Sequence, residues 1–177
     1  MKLPVILTDK NLCKVRTITT FIRLDFDQSK WPSLIHKANK FCQSLASDFK
    51  DHGYTVQSVR IVTNAFAEYI DVTTLATAQK DLRTLNTLLN NSQQSGLRLR
   101  FAIGEATNAH QLNLIPELIK EFGDLCNVCV NIPMDENGVL DNLLIEESTK
   151  AVNKISQMTE NSIRRASRNS TQCLAIK

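Results

Sequence analysis

The apolar positions of this chain change period again and again. Residues 14–24 are rich in β-branched and aromatic side chains and predict a first strand. After a loop over 25–28, Ser29 is placed to cap a helix whose first turn tolerates Pro32. In that helix Leu34, Ile35, Ala38, Phe41, Cys42, Leu45, Ala46 and Phe49 step by three and four along one face. Gly53 stands where a left-handed residue ends such a helix. A second strand is predicted over 55–63. A second helix starts at Thr73 or Thr74, carries Leu75, Ala78, Leu82, Leu85 and Leu89 on one stripe, and stops at Gly96. A third strand runs over 97–103 and stops near Gly104. The third helix carries Ile115, Leu118, Ile119 and Phe122, with Pro116 in its first turn or inside a helix that begins nearer Ala109. A fourth strand over 127–132 is ended by Pro133. A turn signal over 135–138 leads into a fourth helix over 141–158, with Leu144, Ala151, Val152, Ile155 and Met158 inward.

The expected fold is α/β: four successive βα units and a parallel sheet with right-handed crossovers. Residues 1–13 are a lead-in with a short edge strand near 5–7. Residues 14–158 are the repeat domain, and 159–177 read as a basic, disordered tail. Successive strand residues point to opposite sides. One side of the sheet is apolar, with Val59, Ile61, Phe101, Ile103, Val128, Val130 and Ile132. The other mixes Ser58, Arg60, Arg98, Arg100, Cys129 and Asn131. A doubly wound sheet would be apolar on both sides. The pattern therefore predicts a curved, half-barrel sheet with helices on one face. Alternatively, the arginines lie near strand starts and reach solvent, which suits Arg98 and Arg100 better than Arg60.

Composition changes this picture little. Hydrophobic residues at 42% and charged residues at 22% are ordinary for a globular protein. The net charge of +3 lies in the tail, where Arg164, Arg165, Arg168 and Lys177 face no acid after Glu160. Residues 1–160 hold 17 basic and 18 acidic side chains, so no nucleic-acid partner is expected. Five cysteines at irregular spacing, with no secretory signal and no membrane-length apolar run, predict a cytoplasmic protein with reduced thiols.

Candidate chemistry gathers at the C-terminal ends of the strands, where parallel α/β proteins place their ligands. Those ends offer Asp25, Asp27, Asn64, Glu68, Glu105, Thr107, Asn108, His110, Asn131, Asp135 and Glu136. Loops are polar and helix starts collect acids in any case, so this set alone names no reaction. Arg60 is the candidate for holding an anionic group, with Asn64, Glu105 and Asn131 around it. No metal site is assigned, and the cofactor is unknown. Cys126 and Cys129 have the C-x-x-C form but lie at a strand, not at a helix start, and read as buried thiols. His36 and His52 read as surface residues, and Trp31 as a helix-start anchor. Ser167 follows two arginines and an alanine, a basophilic kinase pattern. No P-loop, G-x-G-x-x-G, H-E-x-x-H or nucleophile elbow is present.

Three segments, Lys14-Val-Arg-Thr-Ile-Thr19, Val59-Arg-Ile-Val-Thr-Asn-Ala-Phe-Ala-Glu-Tyr69 and Phe101-Ala-Ile-Gly104, together resemble an uncharacterised conserved protein family, a domain of unknown function. The resemblance covers roughly 14–158. It implies a fold similar to pyruvate formate-lyase, a β/α barrel of two half-barrels, of which this chain holds the N-terminal part. It implies no activity and no radical chemistry. The segment after 159 departs from the family's pattern, which leads to the expectation of a truncated or alternatively spliced product. The functional expectation is an enzyme-like protein binding a small anionic ligand at the sheet's C-terminal edge. The alternative is a non-catalytic module that docks a partner, or associates with itself, through its open sheet face.

Overall fold

The computed structural model describes residues 13–91, 99–123, 125 and 127–158, with the backbone alone at 99 and 100. The expected strand near 5–7, the Gly96 stop, Arg98, Cys126, Ser167 and the tail fall outside these residues. The four predicted strands of the repeat domain are present, and three of them are broken once. The first is β1 (Lys14–Val15) and β2 (Ile18–Phe21), shorter than 14–24. The second is β3 (Thr55–Val56) and β4 (Val59–Val62). The third is β5 (Leu99–Ala102) and β6 (Gly104–Ala106), and the fourth is β7 (Val128–Val130). The helices are α1 (Trp31–Asp51), α2 (Leu75–Asn91), α3 (Ala109–Phe122) and α4 (Asn142–Gln157). Among the described residues no helix is long and apolar enough to cross a membrane.

Every strand pair is parallel, and the strands pair in chain order. Ile18 is in register with Val59, Val59 with Leu99, and Gly104 with Val128. The breaks in the first two strands lie side by side. There the Thr17 and Ser58 hydroxyls meet at 2.8 Å, and Ser58 Oγ donates to the Arg16 carbonyl at 3.0 Å. These side chains satisfy backbone that the ladder leaves open.

The helices share one layer, each packed on the next in sequence, over the face bearing Ile18, Val59, Ile61, Phe101, Val128 and Val130. Thr20 is in register with Ile61 on that side, its hydroxyl 2.9 Å from the buried Cys42 thiol. The α2 stripe is as expected, with Ala78, Leu82, Leu85 and Leu89 fully buried. In α1 the buried residues are Trp31, Ile35, Ala38, Cys42 and Ala46, whereas Phe41 is 57% exposed. Phe41 falls one position outside the 3.6-residue stripe, so it is not part of the core. Pro116 lies inside α3, which begins at Ala109.

Helix ends are built from local chemistry. Gly53 has φ +84°, its N–H bonding the Lys50 carbonyl while the Tyr54 N–H reaches Phe49. This is a Schellman ending, and the Phe49 and Tyr54 rings close it edge to face at 6.2 Å. Ser29 does not cap α1. Asp27 instead accepts the Ser29 N–H and caps a short 3-10 turn over Gln28–Lys30 that leads into the helix, with Pro32 in the first helical turn. Asn108 and Asp141 cap α3 and α4 through the N–H groups of Gln111 and Leu144. Thr74 and Thr77 cap α2 reciprocally, each hydroxyl accepting the other's N–H at 3.2 Å.

The third strand does not stop at Gly104 but turns there. Gly104 has φ +93°. Phe101 and Ile103 are buried before it, and Ala106 after it, so the in–out count slips by one. A Cβ on Gly104 would lie 2.0 Å from the Asn64 carbonyl oxygen and 3.0 Å from Ala65 Cα. Both the conformation and the contact require glycine.

Gly104→Ala is therefore expected to destabilise the fold by roughly 3 kcal/mol or more. Urea unfolding measures this, and a change within about 0.5 kcal/mol would show that the contact is easily relaxed. A second expectation concerns acid. Hydrogen bonds from Ser29, then Lys30, hold the Asp27 carboxyl below its usual 3.8. Those from Thr73 do the same for Asp71. Carboxylates depressed in the folded state contribute stability above the unfolded value, and this is lost as pH falls through the folded one. Asp71→Asn should accordingly lose less stability than wild type on going below pH 3.8. Parallel losses in denaturant titrations would remove Asp71 from the account.

Candidate functional site

The four described helices pack on one face of the sheet, and the opposite face carries none of them. Its rows follow from the register. Thr19, Arg60 and position 100 form one row, and Phe21, Val62 and Ala102 the next. Glu105 and Cys129 form a third. Thr19 and Phe21 are exposed, while Arg60, Val62, Ala102, Glu105 and Cys129 are half-buried. The slip at Gly104 decides where Glu105 goes. Strict alternation from Phe101 and Ile103 would send it to the helix side. The left-handed glycine turns it to the open face instead, beside Cys129.

Arg60 sits within β4, which is flanked by β2 and β5. Its Nε is sealed from solvent. Aliphatic carbons of a long cationic side chain commonly cover apolar sheet while the head reaches a polar group. The head here stays on the face that the helices leave open.

Asn64 has a different task. Its Oδ1 accepts the Leu24 N–H at 2.9 Å, and its Nδ2 donates to the Leu24 carbonyl at 3.1 Å. The second amide hydrogen goes to Glu68 Oε2 at 2.8 Å. Glu68 in turn pairs with Arg23 at 3.1 Å. The side chain thus imitates one more residue of parallel ladder, joining the ends of the first two strands. Both of its donor hydrogens are committed to this strap.

Behind the strap is a buried hydroxyl pair. Thr63 Oγ1 and Tyr69 Oη are 2.8 Å apart, within reach of the Ala102 and Ile103 carbonyls at 3.1 and 3.0 Å. The Thr63 N–H also bonds the Ala102 carbonyl. Trp31 packs edge-on against Tyr69 at 5.9 Å, its indole N–H donating to the Asp25 carbonyl at 2.8 Å. The loop over 64–69 is thereby tied to the first strand, to the third and to α1.

The remaining polar residues of the strand ends are mostly engaged in similar work. Asp25 and Asp27 both pair with Lys30 at 3.2 Å. The Thr107 N–H donates to Gln111 Oε1 at 2.7 Å, and His110 Nε2 lies 2.8 Å from the Val72 carbonyl. Asp135 accepts the Asn137 and Val139 N–H groups within its own turn. Asn131 is exposed, two residues beyond Cys129 along the fourth strand. Among the described residues no three His, Cys, Asp or Glu side chains are grouped so as to hold a metal ion. Cys129 is half-buried, not fully buried as expected, because position 129 faces away from the helix layer that covers Val128 and Val130. Its thiol lies 3.7 Å from the Gly104 carbonyl.

The four candidates thus divide. Arg60, Glu105 and Asn131 belong to the open face, and Asn64 to the strap at its end. Four residues of strand separate Arg60 from Asn64, or about 13 Å of backbone. Sequence reasoning marked Thr63 and Asn64 but not their partners. The signal was present in the polar Thr-Asn pair leaving a strand, with a tyrosine five residues further and a glycine within the next strand.

Removing the strap should cost stability. Asn64→Ala leaves both backbone groups of Leu24 without their side-chain partner and is expected to cost about 1–3 kcal/mol. Amide exchange at Leu24 should accelerate in that variant. An unchanged exchange rate would show that the strap is not what orders the first strand's end.

Once these features are in place, comparison with known proteins adds a family but no activity. Curated proteins yield no match. The family model described as "Uncharacterised ACR (DUF711)" matches residues 6–173 of the 177. That span extends past both ends of 14–158 and takes in most of the segment after 159. The chain belongs to the DUF711 family of uncharacterised proteins.

Proposed function

We propose that this is a cytosolic, enzyme-like protein whose open sheet face holds a small anionic ligand through Arg60. The observation that carries the reading is the place of Arg60. An arginine sits half-buried within β4, on the face free of helices. The register sets position 100, also an arginine, directly beside it, about 4.8 Å away between strands. A guanidinium matches carboxylate and phosphate oxygens two at a time. Glu105 and Asn131, further along the same face, would select among ligands by repelling or hydrogen-bonding their other end. The parallel pairing in chain order and the single helix layer favour a half-barrel wall similar to that of pyruvate formate-lyase-like β/α barrels. A doubly wound sheet reverses its strand order and is covered on both faces.

A second reading, a non-catalytic module docking a partner on this face, is favoured by Phe21. It is 76% exposed and in register with Val62.

Thermal shift with phosphate, citrate and short dicarboxylates separates the two. A ligand at ten times its Kd should raise Tm by about 3–5 °C. Arg60→Ala should abolish the rise while folding normally. If no anion stabilises wild type more than Arg60→Ala, the arginine-centred site is wrong.

A further inference from the structure

The turn between the fourth strand and α4 holds the chain's one asparagine that is followed directly by glycine, Asn137-Gly138. Asn137 is exposed, and a Cβ added at Gly138 would meet nothing within 4 Å. The side-chain amide in such a pair is open to attack by the backbone nitrogen of the next residue, because glycine puts no side chain in the way and rotates freely.

The backbone around the pair is closely specified. The Gly138 N–H bonds the Asp135 carbonyl at 3.0 Å, which closes a β-turn over 135–138. No non-glycine residue among those described has a positive φ, so the turn is of type I, and Gly138 follows it at φ +79°. The Asp135 N–H bonds the Val139 carbonyl at 2.9 Å, and Met134 bridges Leu140, which completes a hairpin with a three-residue loop. The Asp135 carboxylate adds two bonds, its Oδ1 accepting the Asn137 N–H at 2.9 Å and the Val139 N–H at 2.8 Å. One residue thus holds the N–H groups of 137, 138 and 139. At the third residue of a type I turn ψ is about 0°. That value keeps the Gly138 nitrogen turned toward Asp135. Attack on the amide needs the same nitrogen swung to the Cβ side of Asn137, which the closed turn prevents.

We propose that Asn137 is a site of spontaneous deamidation, and that Asp135 sets its rate by holding the turn shut. When the turn opens, the Gly138 nitrogen bonds Asn137 Cγ and the Cγ–Nδ2 bond breaks. The proton lost from the Gly138 nitrogen ends on the departing ammonia, and a five-membered succinimide remains. Water then opens this ring at one of its two carbonyls. Opening at the side-chain carbonyl gives aspartate. Opening at the main-chain carbonyl gives isoaspartate, whose backbone is one methylene longer. The longer backbone cannot keep all three N–H groups on Asp135. The hairpin it loosens is the one that delivers Asp141 to its place at the start of α4, where the Asp141 N–H bonds the Pro133 carbonyl at 3.1 Å and its side chain caps the helix. None of this depends on the ligand reading.

The test is peptide mapping by mass spectrometry of the full chain held at physiological pH and temperature, with isoaspartate scored by a protein-isoaspartyl methyltransferase. The folded wild type should convert at Asn137, about tenfold or more slowly than the same chain in urea. Asp135→Ala removes the two carboxylate bonds and should quicken conversion in the folded chain roughly tenfold, with an unchanged circular dichroism spectrum. Asp135→Asn, whose amide oxygen still accepts, should stay close to wild type. Asn137→Gln should yield neither product at that position. The comparison of folded with unfolded wild type needs no variant, so the test stays decisive if a substitution disturbs folding. No conversion at Asn137 even in urea, equal rates folded and unfolded, or a rate indifferent to Asp135→Ala would overturn the inference.

Discussion

The architecture depends on a close approach between two backbones. Gly104 comes against the Asn64–Ala65 peptide with no room for even a methyl group. That contact fixes the height at which the second strand's exit loop crosses the end of the third strand. The Thr63 and Tyr69 hydroxyls can then reach the carbonyls on either side of the turn, and Asn64 can face back toward Leu24. The three strand ends are locked as one unit by a glycine, an amide and two hydroxyls. None of these carries a net charge, so the lock is insensitive to salt. The ion pairs around it, such as Arg23 with Glu68, are exposed and contribute little.

This division of labour separates what builds the site from what would use it. Most polar residues at the strand ends spend their hydrogen bonds on the loops that carry them. The face below is different in kind: its side chains are half-buried or exposed and of mixed chemistry.

Much of the fold was legible because helical periodicity is a strong signal. The α2 stripe, the left-handed Gly53 and the order of strands and helices follow from residue spacing alone. Phe41 was misplaced because hydrophobicity says nothing about which side of a stripe an extra aromatic falls on. Ser29 lost its capping role to Asp27 because a 3-10 turn precedes α1. The faces of the first half of each strand were readable by parity. Glu105 was not, since one positive φ at Gly104 reverses the count and no local pattern announces it. Asn64 was recognisable as special, but its partner is a backbone 40 residues away. Long-range pairing of that kind is a property of the assembled sheet.

Trp31 gives the strand-end lock an optical consequence. It is the chain's single tryptophan, wholly buried, edge-on to Tyr69 and bonded through its indole to the Asp25 carbonyl. Its emission therefore originates beside the same tyrosine that ties the exit loop to the third strand. Loosening of that loop would change the polarity around the indole and the quenching of its excited state before the helices had moved. The protein thus carries a built-in fluorophore beside the lock that joins its strand ends.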